Sequence, residues 1–212
     1  MNITQHFAIF DLDGTLANSM LYWDMVCGEF LREQEIKEEG LLEVMKPMTL
    51  AQSAEYLRQN YGCTFSFTEM YIRMCELMRE HYAHDVCAKP GVHAFLDRLS
   101  AQGVRMCLAS SSPVDLVLTC LDALHLRQYF DWIVSAEEVG KGKTEPDIYL
   151  EAARKLNAEV TDTLVFEDAL TAGMTAKRAG FTVVAVYDET GKAEWEEFKR
   201  AADLVIENWE DA

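Results

Sequence analysis

From residue 90 onward the chain repeats one pattern, a short apolar run followed by a helical one. Strand candidates are Val104–Ala109, Trp132–Ser135, Leu164–Glu167, Val183–Tyr187 and Leu204–Ile206, with His6–Leu12 as an earlier one. Helical runs lie between most of them, at 113–126, 146–156, 170–179 and 193–202. Val92 to Gln102 reads as a further amphipathic helix, closed by Gly103 as its C-terminal glycine. Such a series predicts the α/β class, a mainly parallel sheet with helices on its faces. Right-handed crossovers then bring the carboxyl ends of the strands to one edge, where ligands of such sheets bind.

The stretch from Leu16 to about His84 has a different character. Its helix breakers are few (Gly28, Gly40, Pro47 and Gly62), and apolar residues recur at helical spacing. Thr49 followed by Gln52 predicts a capping box. A helical domain over residues 16–87, inserted into a core of residues 1–15 and 88–212, accounts for both patterns. Hinges are expected near Leu16–Met20 and Val86–Pro90.

Polar residues collect at the predicted carboxyl edge. Asp11 and Asp13 end the first strand, Ser110, Ser111 and Ser112 the second, and Glu167 and Asp168 the strand LVFED. Side chains two apart on a strand face the same way, so Asp11 and Asp13 repel unless a cation, a proton or a reaction needs both. Acidic oxygens from two strands form a hard site suited to Mg²⁺, and no histidine or cysteine at these ends favours zinc. The Ser110 hydroxyl and the backbone N–H groups after it, at a helix start, can hold a phosphate. Lys141 and Lys143 supply positive charge in a chain of net charge −17. That charge argues against nucleic acid or an anionic membrane as a partner.

DLDGT, LASSS, GKTEPD and FEDALTAG, in this order and each at the end of the right element, resemble the haloacid dehalogenase superfamily. The resemblance spans essentially the whole chain and includes the inserted helical cap of the β-phosphoglucomutase and phosphoglycolate-phosphatase subgroup. It implies a Rossmann-like core and a two-step phosphoryl transfer. Asp11 would be the nucleophile, and Asp13 first the acid that protonates the leaving oxygen, then the base that activates water. Mg²⁺ would be held by Asp11, Asp168 and the backbone carbonyl of Asp13, with Glu167 a ligand or a neighbour of the ligands. Ser110, Ser111 and Lys143 would bind the transferring phosphoryl group, and Gly14 would let the backbone turn sharply beside it.

Dehalogenases of the superfamily lack the second aspartate, so Asp13 points to a phosphatase acting on a small phosphorylated metabolite such as a sugar phosphate. Sugar phosphomutases resemble the same pattern but carry a histidine just inside the cap, where this chain has Trp23. Net hydrolysis is therefore the leading expectation, with a mutase and a non-catalytic phosphate-binding module as alternatives. The chain departs from the family pattern at Thr144 and Asn18, neither in the catalytic set.

Each of these residues also has a structural reading. Aspartates favour turns, Ser112 fits a helix N-cap before Pro113, and Glu167 and Asp168 could cap a helix. Asp147 could brace Lys143 or simply start a helix. Trp23 is either core or substrate pocket, and Lys46 either a solvated loop lysine or a substrate contact. The five histidines fall outside the motifs. Scattered cysteines without metal spacing, no apolar run of roughly 20 residues and no leader pattern predict a cytoplasmic protein with reduced thiols. Neither the oligomeric state nor the substrate is readable.

Overall fold

The computed structural model describes residues 3–36, 40–45, 48, 50–63 and 66–212. Its centre is a six-stranded sheet in the order β3-β2-β1-β4-β5-β6, parallel throughout. The strands are β1 (Phe7–Phe10), β2 (Arg105–Ser110), β3 (Trp132–Ser135), β4 (Thr163–Glu167), β5 (Thr182–Val186) and β6 (Leu204–Ile206). Each lies within two residues of its expected bounds. The strands were legible because parallel strands buried on both faces read as continuous apolar runs.

Side chains alternate between two cores. Ile9, Cys107, Ala109 and Val165 face one side; Ala8, Phe10, Leu108, Leu164 and Phe166 face the other. The first side is covered by α8 (Asp147–Leu156), α9 (Leu170–Arg178) and α10 (Trp195–Ala201). The second is covered by α5 (Val92–Ala101) and α6 (Val114–Ala123). A four-residue helix, α7 (Ala136–Val139), follows β3 directly.

Between β1 and α5 the chain forms α1 (Met20–Glu33), α2 (Leu41–Met45), α3 (Leu50–Tyr61) and α4 (Phe67–His84). The outbound and return crossings run side by side: Asn18 N–H donates to the Cys87 carbonyl at 2.9 Å and Lys89 N–H to that of Leu16 at 2.8 Å. Ser66 and Glu69 form a capping box at the start of α4. The expected box at Thr49 lies outside the described residues. Arg79 on α4 reaches across to α6, bonding Asp115 at 2.5 Å and Thr119 at 3.2 Å. Among the described residues Cys63, Cys75, Cys87, Cys107 and Cys120 form no disulfide, and no helix is long and apolar enough to cross a membrane.

Candidate active site

β1 sits between β2 and β4, so the residues just past these three strands meet at one edge. Asp11 continues β1, its N–H donating to the Phe166 carbonyl at 3.0 Å. One carboxylate oxygen from each of Asp11, Glu167 and Asp168 lies within 4.8 Å of the others, and all three residues are buried. Lys143, in the loop before α8, places its ammonium on Asp11 and 2.5 Å from Glu167 Oε1. The Tyr149 hydroxyl on α8 donates to that same oxygen at 2.7 Å. Lys141 instead pairs with Asp147 at 2.8 Å, in solvent. Asp147 therefore starts a helix and braces the other lysine.

The electrostatics follow from three carboxylates around the buried Lys143 ammonium, with Lys89 acting on Asp168 as well. Burial raises the Asp11 carboxyl well above the usual range; Lys143 counteracts this, while Glu167, Asp168 and Asp13 reinforce it. Asp168 is pushed up to about 7, by burial first and then by Glu167 and Asp188. Burial opposes the Lys143 charge, but Asp11 and Glu167 overcome that and push its ammonium further up. The cluster is short of positive charge, and its donors are all hard oxygens. That donor set fits a divalent cation of the Mg²⁺ type.

The Asp13 carboxylate has partners of its own. Oδ1 accepts from Ser19 Oγ at 2.6 Å, Tyr82 OH at 2.6 Å and Trp23 Nε1 at 3.1 Å. Oδ2 accepts from Ser112 Oγ at 3.2 Å. The Ser112 hydroxyl thus goes to Asp13, and α6 has no side-chain N-cap bond. This corrects the N-cap expectation: α6 takes Pro113, one residue later, as its N-cap position, so Ser112 stands outside the cap. The buried Ser110 hydroxyl accepts the Ser112 N–H at 3.1 Å, and Ser111 is half-buried next to it.

Gly14 contributes space. It has φ +80°, and a Cβ there would come within 2.7 Å of Asp168 Cγ. Its own N–H is taken by the Ala17 carbonyl at 3.0 Å. Thr15 Oγ1 donates to Asp168 Oδ1 at 3.3 Å. Lys89, on the return crossing, holds the Gly14 carbonyl, the Tyr187 carbonyl at 2.7 Å and Asp188 at 2.9 Å. Trp23 meets Asp13, and Lys46 lies outside the described residues.

Residues 8–186 match the haloacid dehalogenase-like hydrolase family. The chain belongs to that family. It is 29% identical to YhcW of Bacillus subtilis over 94% of this chain and 91% of that protein. With hexitol phosphatase B of Escherichia coli it shares 29% identity over 81% of this chain and 78% of the relative. One longer relative is matched over only about half its length. Among solved structures, a hydrolase from Pseudomonas syringae is similar at 29% identity and a TM-score of 0.77, covering 98% of this chain and 95% of that one. Membership makes this chain a haloacid dehalogenase-like hydrolase, and its six-stranded parallel sheet is the Rossmann-like core of that family.

Sequence reading missed Tyr82, Tyr149, Ser19 and Lys89. The two tyrosines carried no signal distinct from core periodicity.

Proposed function

We propose that the protein is a Mg²⁺-dependent phosphatase that hydrolyses a small phosphorylated metabolite, such as a sugar phosphate, through an aspartyl-phosphate. The observation that carries this reading is the pairing, at one sheet edge, of a buried acidic cluster bearing Lys143 with a separately held Asp13. An enzyme that uses a carboxylate as nucleophile needs a second, proton-carrying carboxyl nearby and a cation against the phosphoryl oxygens.

Asp11 Oδ attacks phosphorus, the new carboxylate–phosphorus bond forms, and the ester P–O bond breaks. Asp13 delivers its proton to the departing oxygen. In the second half Asp13 removes a proton from water, whose oxygen attacks phosphorus and frees Asp11. Ser110, Ser111 and Lys143 hold the phosphoryl oxygens. Asp11, Asp168 and the Asp13 carbonyl would hold Mg²⁺, with Glu167 anchoring Lys143; the bound ion supplies positive charge against the phosphoryl group. Residues 16–87 act as a cap that excludes water and selects the leaving group. Hydrolysis is favoured over mutase chemistry because the Trp23 indole, where a mutase histidine would stand, is committed to Asp13. The wider assignment is a cytoplasmic enzyme with no nucleic-acid or membrane partner.

The test is a panel of phosphomonoesters, sugar phosphates included, assayed for released phosphate with and without Mg²⁺. Mg²⁺-dependent release from at least one supports the proposal. No release from any, or full activity in excess EDTA, overturns it. Isomerised sugar phosphate without release would establish the mutase alternative.

A further inference from the structure

One oxygen of Asp13 accepts three hydrogen bonds, all from side chains that the helical insertion or its entry supplies. Ser19 stands at the start of α1, Trp23 one turn later, and Tyr82 on the return helix α4, 69 residues along the chain. Tyr82 is fully buried, and its oxygen also accepts the Trp23 indole N–H at 3.1 Å. The two rings meet edge to face, with centroids 6.2 Å apart. A buried phenol donating to a carboxylate is a costly arrangement unless the bond is kept. Burial, then the Asp13 charge, push the Tyr82 phenol well up, so it remains a donor.

These bonds separate the two oxygens of Asp13. Oδ1 is filled and its plane is fixed, since three donors from two helices cannot all follow a rotation of the carboxyl group. Among the described residues Oδ2 has only the Ser112 hydroxyl, a group that can equally accept. A proton carried by Asp13 therefore sits on Oδ2, the oxygen beside Ser112 just past β2.

We propose that Tyr82, supported by Trp23, is a positioning residue that fixes the Asp13 carboxyl so that Oδ2 presents its proton to the leaving oxygen. The inference rests on the assignment of Asp13 as the general acid. As the P–O ester bond breaks and the Asp11–phosphorus bond forms, the proton passes from Asp13 Oδ2 to the alkoxide leaving group. The Tyr82 proton stays on the phenol throughout. Because α4 is docked on α6 through Arg79, the packing of the insertion and the orientation of the acid are linked.

A leaving group that needs protonation separates this role from a structural one. Tyr82→Phe and Trp23→Phe are compared with the unaltered enzyme on p-nitrophenyl phosphate, whose leaving group departs unprotonated, and on the alkyl ester β-glycerophosphate. Folding of each variant is checked by circular dichroism. The general acid is worth about 10²–10⁴ in rate, so Tyr82→Phe is expected to lose about tenfold or more in kcat/KM on the alkyl ester. On the aryl ester, whose leaving group needs no proton, kcat/KM should fall only about twofold. Trp23→Phe should show the same asymmetry more weakly.

Asp13→Asn separates the two levels of the argument. If that variant loses kcat/KM, which covers the steps through departure of the leaving group and not hydrolysis of the shared intermediate, equally on both esters, Asp13 is not the general acid and the functional reading fails. If Asp13→Asn is asymmetric while Tyr82→Phe is symmetric or silent, the positioning role is overturned and the functional reading stands. Should Tyr82→Phe not fold, Trp23→Phe decides by the same comparison.

Discussion

Lys143 Nζ lies 2.5 Å from Glu167 Oε1, with both side chains buried, and the same ammonium contacts Asp11. This lysine is therefore the cation that makes a buried acidic cluster tolerable before any metal binds. Replacing it by methionine strands three carboxylates in the core, and removing one partner of a buried ion pair costs about 3–5 kcal/mol. Lys143→Met should lower the thermal midpoint of the metal-free protein strongly, with Mg²⁺ restoring part of the loss. Lys141→Met, which breaks only an exposed pair with Asp147, should leave the midpoint nearly unchanged. Differential scanning calorimetry of both variants, with and without Mg²⁺, checks the contrast. Equal effects from the two lysines would remove Lys143 from its assigned place.

Asp11→Asn keeps the size of the side chain and the backbone bond to the Phe166 carbonyl but removes the carboxylate proposed as the nucleophile. Turnover should fall by at least about 10³-fold, the scale on which loss of a nucleophile acts. The intermediate is read by rapid quench of the working enzyme and reduction with tritiated borohydride, which converts an acyl phosphate to an alcohol and leaves tritium on the chain. The label should be present in the unaltered enzyme and missing from the variant. Undiminished hydrolysis by Asp11→Asn would end the assignment.

The sheet and most of its edge were legible because their signals are local. A strand buried on both faces announces itself as an apolar run such as LVFE, and Asp11, Ser110 and Asp168 stand where such runs stop. Lys143 could be preferred over Lys141 by its spacing to Pro146, and the structure places Lys143 in the core and Lys141 in solvent. What stayed hidden is where hydroxyl groups point. Tyr82 and Tyr149 sit at helical positions that look like any other core aromatic, and only the approach of another element decides that one meets Asp13 and the other Glu167. Ser112 shows the same limit: its sequence neighbours suit a helix cap, but the helix takes Pro113 as its N-cap position and the Ser112 hydroxyl donates to Asp13. The direction of the Asp13 carboxylate was equally unreadable. The strand ends at Phe10, so the period-two rule that puts Asp11 and Asp13 on one face no longer governs them.

Asp168, with its pKa at about 7, makes stability depend on pH in a definite direction. A carboxyl whose pKa is raised on folding binds protons more tightly in the native state than in the unfolded one. Its contribution is then most favourable at low pH and is lost as pH rises from about 4, the unfolded value, through 7. The metal-free protein should lose thermal stability between pH 5 and pH 8. A divalent ion needs the ionised carboxylates, so the gain in midpoint on adding Mg²⁺ should grow over the same interval. At 100 times the dissociation constant that gain corresponds to about 2.7 kcal/mol. Asp168→Asn should flatten both trends. Thermal scans at pH 5, 6, 7 and 8 measure them, and a Mg²⁺ effect independent of pH would argue against metal binding at this cluster.

Gly14 offers the sharpest steric test, because two separate demands meet there. Its φ of +80° disfavours any residue with a side chain, by about 1–2 kcal/mol for alanine. A Cβ would also come within 2.7 Å of Asp168 Cγ and 3.0 Å of Met20 Cγ. The methionine end can yield, but Asp168 is tied by Thr15 and by its place after β4. Gly14→Ala should therefore displace the Asp168 carboxylate, and a misplacement of about 1 Å in an active site can cost about 10²-fold in rate. Mg²⁺ affinity, read by isothermal titration calorimetry, should weaken along with kcat. Gly103, also at positive φ (+78°) but with open space around it, provides the control. Gly103→Ala should lower stability by a similar backbone term while leaving kcat and Mg²⁺ affinity unchanged. If both variants lose only stability, the close approach of Gly14 to Asp168 has no catalytic consequence.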